Sequence, residues 1–154
     1  VAIHSASHKY NQIYTSEQAF FDDLEQMNSI IKAQTGNDAS IIRFPGGSSN
    51  TVSKDYCPGI MTQLVNDVTA RGLLYCDWNV SSGDANSKPI STEQVVQNVI
   101  SGVQSHNVSV VLQHDIKDFS VNAVEQIIQW GQANGYTFLP LTTSSPMSHH
   151  RINN

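Results

Sequence analysis

Two histidines, His4 and His8, lie four residues apart near the start of the 154-residue chain. They follow an apolar run at residues 1–3 that predicts a short buried strand, so they fall where that strand would give way to a loop. Neutral imidazole is the commonest protein ligand for transition metals, and two rings at this spacing can reach one ion. The pair therefore predicts a metal site, with two unrelated loop histidines as the alternative.

Three further predicted strands each carry, at or just after their carboxyl end, side chains that could bind a ligand or take part in catalysis. The strands are predicted at residues 40–44, 73–76 and 108–112, and the side chains are Arg43, Asp77, Trp78 and His114. In parallel α/β folds the loops at the carboxyl ends of the strands build the active site, so we expect these groups to converge on one face. A purely structural role is the alternative for each residue, such as a surface ion pair for Arg43, a core position for Trp78, or a hydrogen-bonded loop position for His114.

The elements that must position these groups alternate between strand and helix. Start and stop signals predict helices from the capping box at 15–18 to Gly36, over 60–70, from the cap at 91–94 to about Ser105, and over 120–133. A final strand is predicted at 136–141, and the stretch from Thr142 is expected to be a solvated polar tail. The alternation predicts parallel pairing and an α/β fold in one continuous domain, residues 1–154.

Composition narrows the classes of partner. The chain has a net charge of −5 with 39% hydrophobic and 14% charged residues, which predicts a soluble globular chain, and without basic clusters we expect no nucleic-acid or anionic membrane partner. No apolar run approaches the roughly 20 residues of a membrane span, and any export signal is expected upstream of residue 1. Cys57 and Cys76 are expected to be free, buried thiols, with their pairing left open.

The first two motifs of this chain resemble the second and third motifs of the polysaccharide deacetylase family, the NodB homology domain of carbohydrate esterase family 4. His4-Ser5-Ala6-Ser7-His8 matches the family's H-[S/T]-x-x-H motif, whose histidines bind zinc or a related divalent ion. Arg43-Phe44-Pro45-Gly46-Gly47 resembles R-x-P-[aromatic]-G, with glycine at the usual aromatic position. The resemblance implies that Arg43 orients the catalytic base, that Pro45 lines the substrate site, and that the Gly46 N–H meets the oxyanion.

Two further motifs follow in the family's order. Asp77-Trp78 resembles the fourth motif, in which the aspartate tunes a histidine and the tryptophan lines the substrate groove. Leu112-Gln113-His114 matches the fifth, L-x-H, whose leucine shapes the acetyl pocket and whose histidine is the general acid. A carboxylate near His114 would favour its protonated form, and Asp77 is the expected partner, with Asp115 in competition.

The resemblance implies a distorted (β/α) barrel and the metal-dependent removal of acetyl groups from a cell-wall polysaccharide, with the N-acetylglucosamine of peptidoglycan as the expected substrate. Zinc is the expected ion, with cobalt and nickel as alternatives. An extracellular or cell-wall location in a bacterium is implied. The alternatives are a chitin or xylan deacetylase, and a non-catalytic carbohydrate-binding or regulatory domain.

One element of the family pattern has no counterpart in this chain. The Asp-Asp motif, which supplies the catalytic base and the metal's carboxylate ligand, is not found before His4. Asp22-Asp23 and Asp84 are possible substitutes. A favourable interaction with the helix dipole explains Asp22-Asp23 more simply, and the preference of aspartate beside glycine for turns explains Asp84 more simply. We therefore expect the barrel to lack its first one or two βα units, supplied by an N-terminal fragment as a separate chain or replaced through a homodimer.

Overall fold

The computed structural model describes all 154 residues, which form two compact units. The first unit comprises Val1–Asp77 together with Thr142–Asn154, and the second comprises Trp78–Leu141. The mixed helix and strand composition and the parallel strand pairing agree with the prediction. The strands form two separate pairs and close no barrel. None of the helices combines the length and the apolar character that a membrane span requires.

The first unit is built on one parallel strand pair. Its elements are α1 (Tyr10–Ile13), α2 (Glu17–Thr35), β1 (Ile41–Ile42), a 3-10 turn (Val52–Asp55), α3 (Ile60–Ala70) and β2 (Leu74–Tyr75). β1 and β2 pair in parallel, with Ile41 opposite Leu74. Ile3 adds an isolated parallel bridge to Ile42 on the other side of β1. The predicted first strand is therefore a single bridged residue, and the histidine loop starts directly from it.

α2 ends where its sequence predicts and begins one residue later, because Ser16 and not Thr15 of the predicted capping box is its cap. The Ser16 hydroxyl accepts a hydrogen bond from the Ala19 amide at 3.1 Å, and Gly36 ends the helix in the left-handed conformation. Phe20, Leu24 and Ile31 face the core and are buried. They pack in a cluster with buried residues of α1, β1 and α3, and this cluster fixes the position of α2.

The second unit pairs β3 (Val80–Ser81) with β4 (Val111–Leu112) in parallel. α4 (Thr92–Gln104) and α5 (Asp118–Ala133) pack against each other, and Ser91 caps α4 as predicted. Their contact buries a small aliphatic core, made of Val95, Val96, Val99, Ala123 and Ile127. β3 is absent from the predicted elements, and it places the loop that follows it beside the end of β4.

Two predictions about the end of the chain are wrong. Residues 136–141 form no strand, and Phe138 and Leu139 are 53% and 80% exposed. Residues 142–154 are not a free solvated tail, since they belong to the first unit and make specific hydrogen bonds there. The Asn154 carbonyl accepts from the Thr62 amide at 2.8 Å, and the His149 ring stacks on Tyr75 at 4.1 Å. These polar residues are ordered because they satisfy backbone groups at loop and helix ends.

Candidate active site

The two predicted metal ligands lie close together in the first unit. The ring centroids of His4 and His8 are 5.0 Å apart. His4 Nδ1 donates to the Arg43 carbonyl oxygen at 2.9 Å, which fixes the orientation of the ring. His8 has φ 55°, and it is the one non-glycine residue with positive φ. Such a conformation persists where the surroundings hold it, and it is frequent at functional sites.

A carboxylate from α2 holds the loop between these histidines. Asp23 Oδ2 accepts from the Ser5 hydroxyl at 2.6 Å and from the Ala6 amide at 2.9 Å, and Oδ1 accepts from the Ser7 amide at 2.9 Å. Burial alone would raise the pKa of Asp23, but these hydrogen bonds outweigh it and hold the pKa below its usual range. Asp22, in contrast, is exposed and accepts from Gln18. Asp23 therefore binds the loop between the histidines, and the predicted interaction with the helix dipole does not describe its role.

The histidine pair fits a divalent ion as two of its protein ligands. Two imidazoles, one of them oriented through Nδ1 by a backbone carbonyl, are a common part of zinc sites. No group of three histidine, cysteine, aspartate or glutamate side chains is placed to hold a metal ion. A catalytic zinc site usually has three protein ligands, so the two histidines alone do not make up a site of that kind.

Arg43 lies at the end of β1 and crosses to the end of β2. Its Nε donates to the Cys76 carbonyl at 3.0 Å, and Nη2 donates to the Asp77 carbonyl at 3.3 Å. The side chain is half-buried, and its own carbonyl accepts from His4. Arg43 therefore links the histidine loop to the strand end that carries Asp77.

The loop that follows Arg43 is held in a glycine-dependent conformation. Gly46 and Gly47 both have φ 78°, and the Gly47 amide donates to the Phe44 carbonyl at 2.8 Å. The buried Tyr14 hydroxyl donates to the Pro45 carbonyl at 2.7 Å. Gly46 itself is exposed, and a side-chain carbon added there would collide with the Tyr10 hydroxyl. Tyr10 thus occupies the space into which a side chain at position 46 would project.

Asp77 is fully buried and joins three segments of the first unit. Its Oδ1 accepts from the Ser48 amide at 2.8 Å, and Oδ2 accepts from the Ser48 hydroxyl at 2.5 Å and from the His150 amide at 2.9 Å. The Asp77 amide donates to the Ser148 carbonyl at 2.7 Å. The carboxylate thus ties the loop at 45–50 to the C-terminal segment.

In the second unit, His114 is paired with Asp84. His114 Nδ1 lies 2.9 Å from Asp84 Oδ1, and Asp84 Oδ2 accepts from the His114 amide and from the Ser120 hydroxyl, both at 2.6 Å. Asp84 is 2% exposed, and burial alone would raise its pKa. The hydrogen bonds from Ser120, His114 and Ser82 outweigh burial and lower the pKa of Asp84 to about 2. Asp84 is therefore a buried carboxylate anion at neutral pH.

This pairing corrects the expected partner of His114. The sequence predicts Asp77 there, with Asp115 as competitor, whereas the carboxylate on the His114 ring belongs to Asp84. Asp77 is engaged by Ser48 and His150, and Asp115 is exposed. The signal that could have found Asp84 is its place in the short loop after β3, which is a strand end like the others.

The remaining predicted residues lie as follows. Leu112 is half-buried in β4, and its carbonyl accepts from the Ser82 amide at 3.0 Å. Trp78 is half-buried at the start of the second unit. Cys57 is half-buried, Cys76 is buried, and both are free thiols. The first unit thus holds His4, His8, Arg43, Pro45, Gly46 and Asp77, and the second holds Trp78, Leu112 and His114 with Asp84.

Comparison with known proteins identifies relatives that have related activities. No protein-family model matches the sequence. The chain is 28% identical over 142 residues to a peptidoglycan-N-acetylglucosamine deacetylase of Bacillus cereus, covering 90% of this chain and 48% of that protein. It therefore spans about half the length of this curated relative.

Solved structures extend the comparison. The catalytic domain of peptidoglycan N-acetylglucosamine deacetylase from Eubacterium rectale is 98% identical, with a TM-score of 0.99, and the match covers 100% of this chain and 70% of that one. A CE4 esterase from Streptococcus mutans is 26% identical, with a TM-score of 0.71, over 89% of this chain and 60% of that one.

Proposed function

Because the chain belongs to carbohydrate esterase family 4, the family of the polysaccharide deacetylases, we propose that it forms the greater part of a catalytic domain that removes acetyl groups from peptidoglycan N-acetylglucosamine. The observation that carries the proposal is the oriented histidine pair, with rings 5.0 Å apart and His4 Nδ1 held by a carbonyl. The relatives named above support the substrate. A cell-wall substrate places the reaction outside the cell membrane.

His4 and His8 would hold a divalent ion, for which zinc is our first choice and cobalt or nickel the alternatives. When bound, the ion would lower the pKa of a water molecule and polarise the acetyl carbonyl. The hydrogen bond from His4 Nδ1 to the Arg43 carbonyl directs the ring. His8, in its left-handed conformation, turns the chain so that its ring lies beside that of His4.

The oxyanion of the tetrahedral intermediate requires a donor that is already in place. We assign this role to the Gly46 N–H, because the loop around it is fixed by the Gly47 and Tyr14 hydrogen bonds. A donor that needs no reorganisation during the reaction is worth on the order of a hundredfold or more in rate. Pro45, Leu112 and Trp78 are the proposed substrate-lining residues.

His114 is the proposed general acid for the leaving amine, which departs poorly unless it is protonated. Its Nδ1 is engaged by Asp84, so Nε2 is the nitrogen left to transfer a proton. The Asp84 carboxylate is itself fixed by the Ser120 hydroxyl. Asp84 is thus the positioning residue of this histidine, in the way that a carboxylate orients the histidine of a catalytic triad.

The base and the third metal ligand are the two roles that this set of residues leaves open. We propose that carboxylates outside the set, from another segment of the protein or from a second copy of the chain, supply both. Arg43 would hold the base ionised through a charge-assisted hydrogen bond. It lies beside the histidine loop, to which its carbonyl is bonded.

The direct test is release of acetate from N-acetylglucosamine oligomers and from purified peptidoglycan, with and without added zinc chloride. Intact mass spectrometry of the same sample would establish whether a second polypeptide is present. Zinc-dependent acetate release that is lost in His4→Ala supports the proposal. Acetate release that is unaffected by chelators and by His4→Ala would overturn the metal-dependent mechanism.

A second candidate is a non-catalytic carbohydrate-binding domain. It is favoured by one observation, that no third metal-binding side chain joins the two histidines. Such a domain would bind the glycan without releasing acetate, whether or not zinc is present. Glycan binding by calorimetry, measured together with acetate release, separates the two functions.

A further inference from the structure

Asp23 contacts the whole of the loop that separates the two candidate metal ligands. Each of the three residues between His4 and His8 donates to its carboxylate: the Ser5 hydroxyl at 2.6 Å, and the Ala6 and Ser7 amides at 2.9 Å each. We infer that Asp23 is a positioning residue for the metal site, which it holds in a binding-competent shape before the ion arrives. This inference rests on the proposed metal site.

The influence of Asp23 extends to the second histidine through one intermediate. The Ser5 hydroxyl donates to Asp23 and accepts from the His8 amide at 2.8 Å. A continuous path of hydrogen bonds therefore runs from the carboxylate to the backbone of His8. Because a hydroxyl that donates to an anion is a better acceptor, the two bonds reinforce each other.

The conformation of the loop explains why such support is needed. His8 has φ 55°, a left-handed backbone conformation that is unfavourable for a residue with a side chain. Without external contacts the segment would relax to other backbone conformations, and the two rings would separate. Asp23 opposes this relaxation because it binds the residues immediately before His8.

The helix that carries Asp23 is a rigid support. Leu24 is buried next to it in sequence, and Phe20 and Ile31 anchor the same helix in the core. Successive helix residues point about 100° apart, so Asp22 projects away from the loop, where it is exposed and accepts from Gln18. Asp22 is therefore a matched control on the same helix.

Only hydrogen-bond donors of the loop face Asp23, so a carboxylate, which is purely an acceptor, fits this position. An asparagine has nearly the same shape, but its amide nitrogen would face a hydroxyl or a backbone N–H, so at least one donor would lose its acceptor. Asp23→Asn thus changes the contacts while leaving the side-chain volume and the core unchanged. A truncation to alanine would change the packing as well and is less informative.

The experiment is a titration with zinc chloride of the wild-type chain, Asp23→Asn and Asp22→Asn, followed by calorimetry. We expect zinc affinity to fall at least tenfold in Asp23→Asn, in line with other residues that orient metal ligands, and to stay within twofold in Asp22→Asn. Equal affinity of Asp23→Asn and the wild type would overturn the inference. An equal loss in Asp22→Asn would also overturn it, because the effect would then be one of helix charge.

A second measurement requires no metal. Hydrogen exchange of the Ala6 and Ser7 amides should be slow in the metal-free wild type and in Asp22→Asn, and at least tenfold faster in Asp23→Asn. If these amides exchange equally fast in all three proteins, Asp23 does not hold the loop and the inference fails. Loss of acetate release in a chain that still binds zinc, with slow exchange and zinc affinity that both depend on Asp23, would count against the proposed function alone.

Discussion

Replacement of Asp84 by asparagine should destabilise the second unit in a pH-dependent way. Asp84 is buried, and it accepts from the His114 amide and ring and from the Ser120 hydroxyl. Folding lowers the pKa of this carboxyl from 3.8 to about 2, so the anion is stabilised in the folded state. The substituted amide carries no charge, and its NH2 can replace a carboxylate oxygen only opposite the His114 ring, where Nδ1 would have to become an acceptor.

The magnitude follows from the change in pKa. A fall from 3.8 to about 2 corresponds to about 2 kcal/mol of stability at neutral pH. Because the folded pKa lies below the unfolded one, this contribution is complete above pH 4 and disappears as the pH falls through 2. We therefore expect Asp84→Asn to lower the free energy of unfolding by about 2 kcal/mol at pH 7.

Tryptophan fluorescence is a suitable probe, since Trp78 and Trp130 both lie in the second unit. Urea unfolding of the wild type and of Asp84→Asn should be measured between pH 7 and pH 2. The difference between their free energies of unfolding should shrink by about 2 kcal/mol across the lower half of this range. Asp115→Asn, at an exposed position beside His114, is the control and should follow the wild type.

Two outcomes would refute the reasoning. A difference that stays constant from pH 7 to pH 2 would mean that the charge of Asp84 contributes nothing to the stability of the unit. A loss of equal size in Asp115→Asn would mean that general electrostatics, not the buried contact, stabilises the loop.

Further variants test the roles of individual residues. His4→Ala should abolish zinc binding, while His114→Ala should leave it intact and lower the rate of acetate release about a hundredfold or more; equal zinc loss in both would contradict the assigned roles. Gly46→Ala should cost about 1–3 kcal/mol more in urea unfolding, followed by circular dichroism, than Gly36→Ala. Both positions have φ 78°, but only at position 46 does the added carbon meet the Tyr10 hydroxyl. Equal losses would show that this close approach has no energetic weight.

Local signals explain which parts of the fold could be predicted. α3 spans residues 60–70 as expected, because a run with helical periodicity ends just before Gly72. The cap at Ser91 was also predictable, since it lies directly before a periodic segment, and the cap of α2 was placed to within one residue of Ser16. These features depend on residues within a few positions of one another.

The features that could not be predicted depend on contacts between residues that are distant in the sequence. β3 was missed because Val80 is its one apolar residue, between Asn79 and Ser81, and the pairing of Asp84 with His114 spans 30 positions. The polar C-terminal segment is ordered by carbonyls and amides of loops that sequence patterns do not reveal. In the same way, Asp23 looks like an ordinary acidic residue near the start of a helix until the loop at 4–8 is placed beside it.

The contact between Asp77 and the C-terminal segment has a consequence for synthesis on the ribosome. The first unit is discontinuous in sequence, because Trp78–Leu141 is inserted between its two parts. The Asp77 carboxylate receives its hydrogen bond from the His150 amide only after the inserted unit has been translated. Until then a charged group at the end of β2 lacks one of its three donors. The first unit, although most of it emerges earliest, should thus complete its folding last.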